Sequence, residues 1–225
     1  MTIQIGILVF PRVQQLDLTG PYEVLASLPD TAVHLVARSL EPVRSATGLV
    51  LQPTVTFQDC PLLDVICVPG GAGINPLLRD TETLDFLRRT AAEARYVTSV
   101  CTGALVLGAA GLLRGRRAAT HWNAMDLLPA FGAIPVHERV VRDGNLITGG
   151  GVTAGIDFAL TLVAELAGQA AAEAVQLNLE YAPAPPFNAG TPDTAPESVL
   201  TAVRARLQAS RQERAAILAQ MASVQ

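Results

Sequence analysis

The sequence predicts an α/β protein built on a mostly parallel sheet with helices on both faces. Three observations carry that expectation. Short apolar runs rich in β-branched residues (Ile3–Phe10, Asp64–Val68, Tyr96–Val100) read as strands buried on both sides. Segments with helical spacing lie between and after them. Apolar residues make up 50% of the 225 residues and charged residues 16%, which suits one large domain with a sizeable core.

Ile3–Phe10 is the first strand and ends at Pro11. Pro21–Leu28 has helical spacing after the Thr19-Gly20 punctuation, and Val33–Ala37 is the second strand. Val43–Phe57 alternates apolar and polar residues around Gly48 and Pro53, which predicts a hairpin or meander. Asp64–Val68 is stopped by Pro69-Gly70-Gly71. Thr81–Ala94 is an amphipathic helix with Thr81 as its cap and Glu82 in its first turn. Tyr96–Val100 is a strand leading into the helix Ala104–Leu113. Arg139–Arg142 and Asn145–Thr148 flank Asp143-Gly144, a hairpin signal. Gly149-Gly150-Gly151 opens onto a helix over Thr153–Leu166, and another covers Ala170–Glu180. Tyr181–Pro196 is rich in proline, glycine and alanine and is expected to be irregular. Glu197–Met221 is a long helix, and its Arg204, Arg206, Arg211 and Arg214 read as a solvated face. This divides the chain into 1–196, a catalytic domain, and 197–225, a C-terminal helix belonging to that domain or to a dimer contact.

Charge and composition narrow the function classes. A net charge of −4 and a pI near 5.4 argue against nucleic acid or an anionic membrane as partner. The N-terminus lacks a basic region and a cleavage site, so it reads as a strand and not a signal peptide. No apolar run is long enough to cross a bilayer. Three cysteines (Cys60, Cys67, Cys101) without zinc or redox spacing imply no disulfide framework and suit a reducing cytoplasm. His34, His121 and His137 show no metal-ligand spacing, so no metal is expected. Gly149–Ala154 fits G-x-G-x-x-A, but no strand ending in an acidic residue follows, so close packing of the glycine turn against the helix Ala104–Leu113 is the better explanation.

In parallel sheets of this kind ligands sit at the carboxyl ends of the strands. Asp17, Gly70-Gly71 and Cys101-Thr102 all follow strand ends. Cys101 lies where a β-branched run stops and a helix starts, the form of a nucleophile elbow. Helix-terminal amides there favour a thiolate. The alternative is a buried cysteine at a strand end. Asp17, among apolar neighbours, would have a raised pKa beside a thiolate and could donate a proton; the alternative is a helix cap. Backbone at Gly71, with Gly150 and Val152 in the later glycine turn, is the candidate for substrate contacts and oxyanion-type donors. His121 ranks below these as a base for Cys101.

The segments L-D-L-T-G-P-Y-E-V-L, D-V-I-C-V-P-G-G, T-S-V-C-T-G-A, A-T-H-W and R-V-V-R-D-G-N-L-I-T-G-G-G-V-T-A-G-I-D together resemble the ThiJ/PfpI superfamily. The resemblance implies a flavodoxin-like three-layer sandwich with a cysteine nucleophile elbow, and a homodimer with the site near its interface. F-P-R-V-Q-Q-L-D-L-T-G-P, V-T-S-V-C-T-G and L-E-Y-A-P-A-P-P-F-N-A-G resemble the isocyanide-hydrating branch, which adds water to R–N≡C and yields an N-substituted formamide. That branch implies Cys101 as nucleophile, Asp17 as general acid and base, Thr102 as the group that positions thiol or water, a small-molecule isocyanide as substrate, and no cofactor. The protease-like branch has His directly after the cysteine and Glu before the glycine pair; Thr102 and Val68-Pro69 stand there instead. A regulator branch adds a helix-turn-helix domain, for which one long helix after the proline-rich stretch leaves no room. Glyoxalase or deglycase chemistry, or redox sensing at Cys101, is the alternative within the superfamily.

Overall fold

The computed structural model describes residues 2–222. In chain order its elements are β1 (Ile3–Leu8), α1 (Gln15–Ala26), β2 (Thr31–Ala37), β3 (Val43–Arg44), β4 (Val50–Leu51), β5 (Val55–Thr56), β6 (Val65–Val68), α2 (Ile74–Leu77), α3 (Thr81–Glu93), β7 (Tyr96–Val100), α4 (Gly103–Ala109) and β8 (Arg117–Ala118). A 3-10 helix (Trp122–Phe131) follows, then β9 (Ile134–Pro135), β10 (Val140–Asp143), β11 (Leu146–Gly149), α5 (Ala154–Ala167), α6 (Gln169–Asn178) and α7 (Glu197–Ala222).

Seven strands form the central sheet in the order β10-β11-β7-β6-β1-β2-β5. All neighbours run parallel except β10, which turns back along β11 through Asp143-Gly144. The flanking helices α1, α5 and α6 pack on one another as one layer, and α2, α3 and α4 as another. Ile5, Ile7 and the whole of β6 are buried, as expected for strands covered on both faces. Register decides what the sheet edge presents. Val68 pairs with Ser99 and Gly149 with Val100, so β6, β7 and β11 end side by side. The turns after these three strands therefore open onto one place.

Three sequence expectations need correction. Helix α1 begins at Gln15, six residues before Pro21. Its N-terminus carries no side-chain cap; the Gln14 N–H donates to the Gly70 carbonyl at 2.9 Å, a tertiary bond across 56 residues that no local pattern announces. Gly20 and Pro21 lie inside the helix because the face of α5 needs them: a Cβ on Gly20 would approach Ile156, and Pro21 packs where a Cβ on Gly155 would stand 3.1 Å away. The stretch 43–57 is only half a meander. β3 and β4 make a small antiparallel hairpin, while β5 joins the main sheet parallel to β2. The glycine turn at 149–151 packs against α5, not against α4, since a Cβ on Gly149 would meet Phe158. The 3-10 helix and the short β8–β9 pair were not legible beforehand.

Gly103, the first residue of α4, sits where a Cβ would come within 1.9 Å of the Val68 carbonyl oxygen. Gly103→Ala gains about 1 kcal/mol of helix propensity but loses more to backbone displacement, about 3 kcal/mol. Urea denaturation is expected to show a net loss of about 2 kcal/mol, and a more stable variant would contradict the packing described here.

Candidate active site

Cys101 occupies the junction between β7 and α4 with φ +56°, a left-handed conformation that a non-glycine residue adopts only when its surroundings hold it there. Two bonds do so. Its N–H donates to the Gly149 carbonyl at 3.1 Å, and its carbonyl accepts the Thr120 hydroxyl at 2.8 Å. The turn leaves the side chain only 5% exposed.

Asp17 is fully buried in the first turn of α1. Its Oδ2 accepts the Gly70 N–H at 2.9 Å, whereas Oδ1 has no hydrogen-bond partner. Gly70 must be glycine here: a Cβ would stand 2.5 Å from the Thr102 nitrogen and 2.9 Å from Asp17 Oδ2. Thr102 Oγ1 accepts the Gly71 N–H at 3.0 Å. Gly71 itself has φ +120°, and a Cβ there would meet the Gln14 backbone at 2.4 Å. The three strand ends are thus locked together by backbone contacts that no larger residue would permit.

Burial pushes the Asp17 carboxyl from 3.8 up to about 7, against the pull of the Gly70 amide and the Cys101 thiol. Burial, then the Asp17 charge, hold the Cys101 thiol well above its ordinary range; the Thr102 amide pulls the other way and loses. This corrects the expected resting thiolate. Helix-terminal amides do face the sulfur, but a buried thiol beside a carboxylate keeps its proton. The two groups titrate as a pair that retains at least one proton through neutral pH.

Cys101 and Thr102 line a cavity of about 230 Å³ together with Gly71, Ala72, His121, Val152 and residues of α7. Of the residues singled out from sequence, Cys101, Thr102, Gly71 and Val152 line this cavity, and Asp17 lies beside Cys101 on the Gly70 amide without lining it. Gly150 is not brought here: its N–H is taken by the Arg139 carbonyl at 2.9 Å and it lines a different surface hollow. The Gly71 amide is likewise engaged by Thr102, although Gly71 lines the cavity with its neighbour Ala72, and Val152 lines it from the other turn. His121 lines the cavity but accepts the Asn123 N–H at Nδ1, and burial followed by the Arg214 charge lowers its pKa to about 4. A histidine with that pKa is a weak base and is neutral at pH 7.

The sequence reading found the helix α7 but missed its part in the site. Arg214 is 5% exposed and lines the cavity, so it does not belong to a solvated face. Leu200, Val203, Leu207, Leu218 and Met221 share a stripe with it at helical spacing, and an arginine within such a stripe is the signal that was present. Among the described residues, no group of three or more His, Cys, Asp or Glu side chains is placed to hold a metal, and no helix is long and apolar enough to cross a membrane.

Fold and site define a flavodoxin-like α/β protein with a buried cysteine at the carboxyl edge of its sheet. The chain belongs to the DJ-1/PfpI family, whose model matches residues 3–165. It is 70% identical over 206 residues to the isonitrile hydratase of Pseudomonas putida, covering 92% of this chain and 90% of that one. A crystal structure of a ThiJ/PfpI family protein from Pseudomonas syringae superposes with a TM-score of 0.94 at 48% identity, over 97% of this chain and 91% of the other. The transcriptional regulator GbdR of Pseudomonas aeruginosa is 31% identical over 58% of this chain, which spans 36% of that protein.

The raised Asp17 pKa has a checkable consequence. The folded state holds this proton up to about pH 7, whereas the unfolded chain releases it near 3.8, so stability falls as pH rises through that window. The span amounts to about 4 kcal/mol at most. Asp17→Asn carries no such charge. Its stability relative to the parent is expected to climb from pH 4 to pH 8, and a gap that stays constant with pH would show that Asp17 is ionised throughout.

Proposed function

We propose that this protein is an isocyanide hydratase that uses Cys101 as nucleophile, Asp17 as general acid and base, and Thr102 to position thiol or water. The observation that carries this reading is the 70% identity, over about nine-tenths of both chains, to isonitrile hydratase. The site supplies suitable chemistry. An isocyanide carbon is an electrophile of low polarity; the Cys101 thiol lines the cavity of about 230 Å³, and the Asp17 carboxyl, its pKa pushed up to about 7, is buried beside that thiol.

In this mechanism the pair holds one proton, which rests on the Cys101 thiol; transfer of that proton to the Asp17 carboxylate gives the reactive form, a thiolate beside a protonated Asp17. The sulfur forms a bond to the terminal carbon of R–N≡C while Asp17 protonates that carbon, which gives the thioimidate R–N=CH–S. The carboxylate left behind takes a proton from water as the oxygen adds to the same carbon, and passes it to nitrogen. Asp17 then accepts the hydroxyl proton, the C=O bond forms and the C–S bond breaks. R–NH–CHO leaves, and thiolate and protonated Asp17 are restored. Each proton moves through one carboxyl group, which suits a group whose pKa lies near 7.

The same reading takes the protein as cytoplasmic, in keeping with three free cysteines, and as a homodimer. The 16% charged fraction supports an assembly that covers surface, and sedimentation equilibrium reads it directly. The strand-end turns and Leu207, Ser210, Arg211 and Arg214 of α7 line the same cavity, which supports taking 1–196 and the C-terminal helix as one catalytic unit.

A proton NMR time course with an alkyl or aryl isocyanide tests the activity. A formyl signal is expected with the parent protein, none above background with Cys101→Ala, and a rate at least about a hundredfold lower with Asp17→Asn. Formamide produced at the parent rate by Cys101→Ala overturns the mechanism. No formamide from the parent, with lactate appearing from methylglyoxal instead, moves the activity to the glyoxalase class.

A further inference from the structure

Helix α7 carries a guanidinium that the reaction above does not use. Arg214 Nε donates to Asn75 Oδ1 at 3.0 Å and Nη2 to Ser210 Oγ at 3.4 Å. Both partners are neutral. Asn75 is turned by α7 itself, since its Nδ2 donates to Glu213 Oε2 at 2.7 Å and to the Ser210 carbonyl at 3.1 Å. Glu213 is thereby spent on the amide. The adjacent cation on the same helix is treated differently: Arg211 holds Asp126 at 2.6 Å. Among the described residues no carboxylate stands within ion-pair distance of Arg214, and Nη1 has no protein acceptor.

A buried cation without a counter-ion costs several kcal/mol. It is retained where an anion shares its cavity for part of the time. The groups lining this space are Cys101 and Thr102 from the turn after β7, His121 from the start of the 3-10 helix, and Arg211 and Arg214 from α7, while Asp17 of α1 and Glu213 of α7 act on Cys101 and Arg214 without lining it. His121 is neutral, Arg211 is paired with Asp126, and Glu213 is engaged by Asn75. Of the groups lining the cavity Cys101 is the one that can become an anion, and its charge, followed by that of Glu213, favours the charged form of Arg214 against burial and Arg211.

We propose that Arg214 is a positioning residue whose charge, aimed by Asn75, holds the Cys101–Asp17 pair in its singly anionic form and steadies the thiolate that leaves at the end of turnover. The assignment rests on Cys101 as nucleophile but not on isocyanide as substrate. It is therefore tested without turnover, by the rate at which iodoacetamide alkylates Cys101 in the full chain between pH 5 and 10, read by mass spectrometry of the Cys101 peptide. Cys60 serves as internal control. Arg214→Met is expected to move the Cys101 profile up by about one pH unit, which is about a tenfold slower reaction at neutral pH, and Arg214→Lys to restore most of it. The Cys60 profile stays put in both. A folded Arg214→Met protein whose Cys101 profile superimposes on the parent's overturns the proposal. A measurement on the parent alone guards against a variant that does not fold. With a cation beside the sulfur, the ratio of iodoacetate to iodoacetamide rates at Cys101 exceeds that of glutathione; a ratio at or below the glutathione value overturns the proposal equally.

Discussion

A carboxyl and a thiol buried side by side cannot both be ionised, and the arrangement of this protein follows from that constraint. Desolvation raises both Asp17 and Cys101, and the Asp17 charge raises Cys101 further. The pair therefore keeps a proton at neutral pH and has it ready at the point where an electrophilic carbon would bind. One Asp17 oxygen is tied to the Gly70 amide, while the other has no hydrogen-bond partner. Tying one oxygen fixes the group in place. The free oxygen is the one that the proposed mechanism uses to exchange protons.

The scaffold keeps these two groups together with backbone more than with side chains. The carbonyl of Cys101 is held by Thr120, its amide by Gly149, and the start of α1 by Gly70. Gly70, Gly71 and Gly103 each stand where a Cβ would collide with another chain segment. A polar site inside an apolar core is tolerable when its donors and acceptors are rigid, because rigid partners need no reorganisation as charge moves. The left-handed φ of Cys101 is part of the same arrangement, since an unstrained turn would not be held up by the Thr120 and Gly149 bonds.

Much of this was readable from residue order. Buried strands, the strand–turn–helix form around Cys101, the glycine pair after β6 and the apolar setting of Asp17 all leave local signals. Other features left none. Helix α1 starts at Gln15 because of a bond to Gly70, so the Thr19-Gly20 punctuation misled. The local amides around Cys101 pointed to a thiolate, but burial, and then the charge of Asp17 from 84 positions away, outweigh them. Gly150 has the look of a donor, yet its amide is consumed by Arg139, a pairing set by how β10 turns back.

Arginine on α7 illustrates the same division. Four arginines on one long helix look alike in sequence, and only docking of that helix against α2 and the 3-10 helix sorts them. Arg211 finds Asp126, while Arg214 is enclosed against Asn75. The sequence by itself determined the α/β class and the strand ends, and it pointed to Cys101 and Asp17 as candidates, because periodicity and turn chemistry act over a few residues. Only the tertiary structure decided which amides are free, where the shared proton rests and which cation enters the cavity. Those depend on burial and on charges brought together from distant parts of the chain, and electrostatics in a low-dielectric interior is set by distance in space, not by position in sequence.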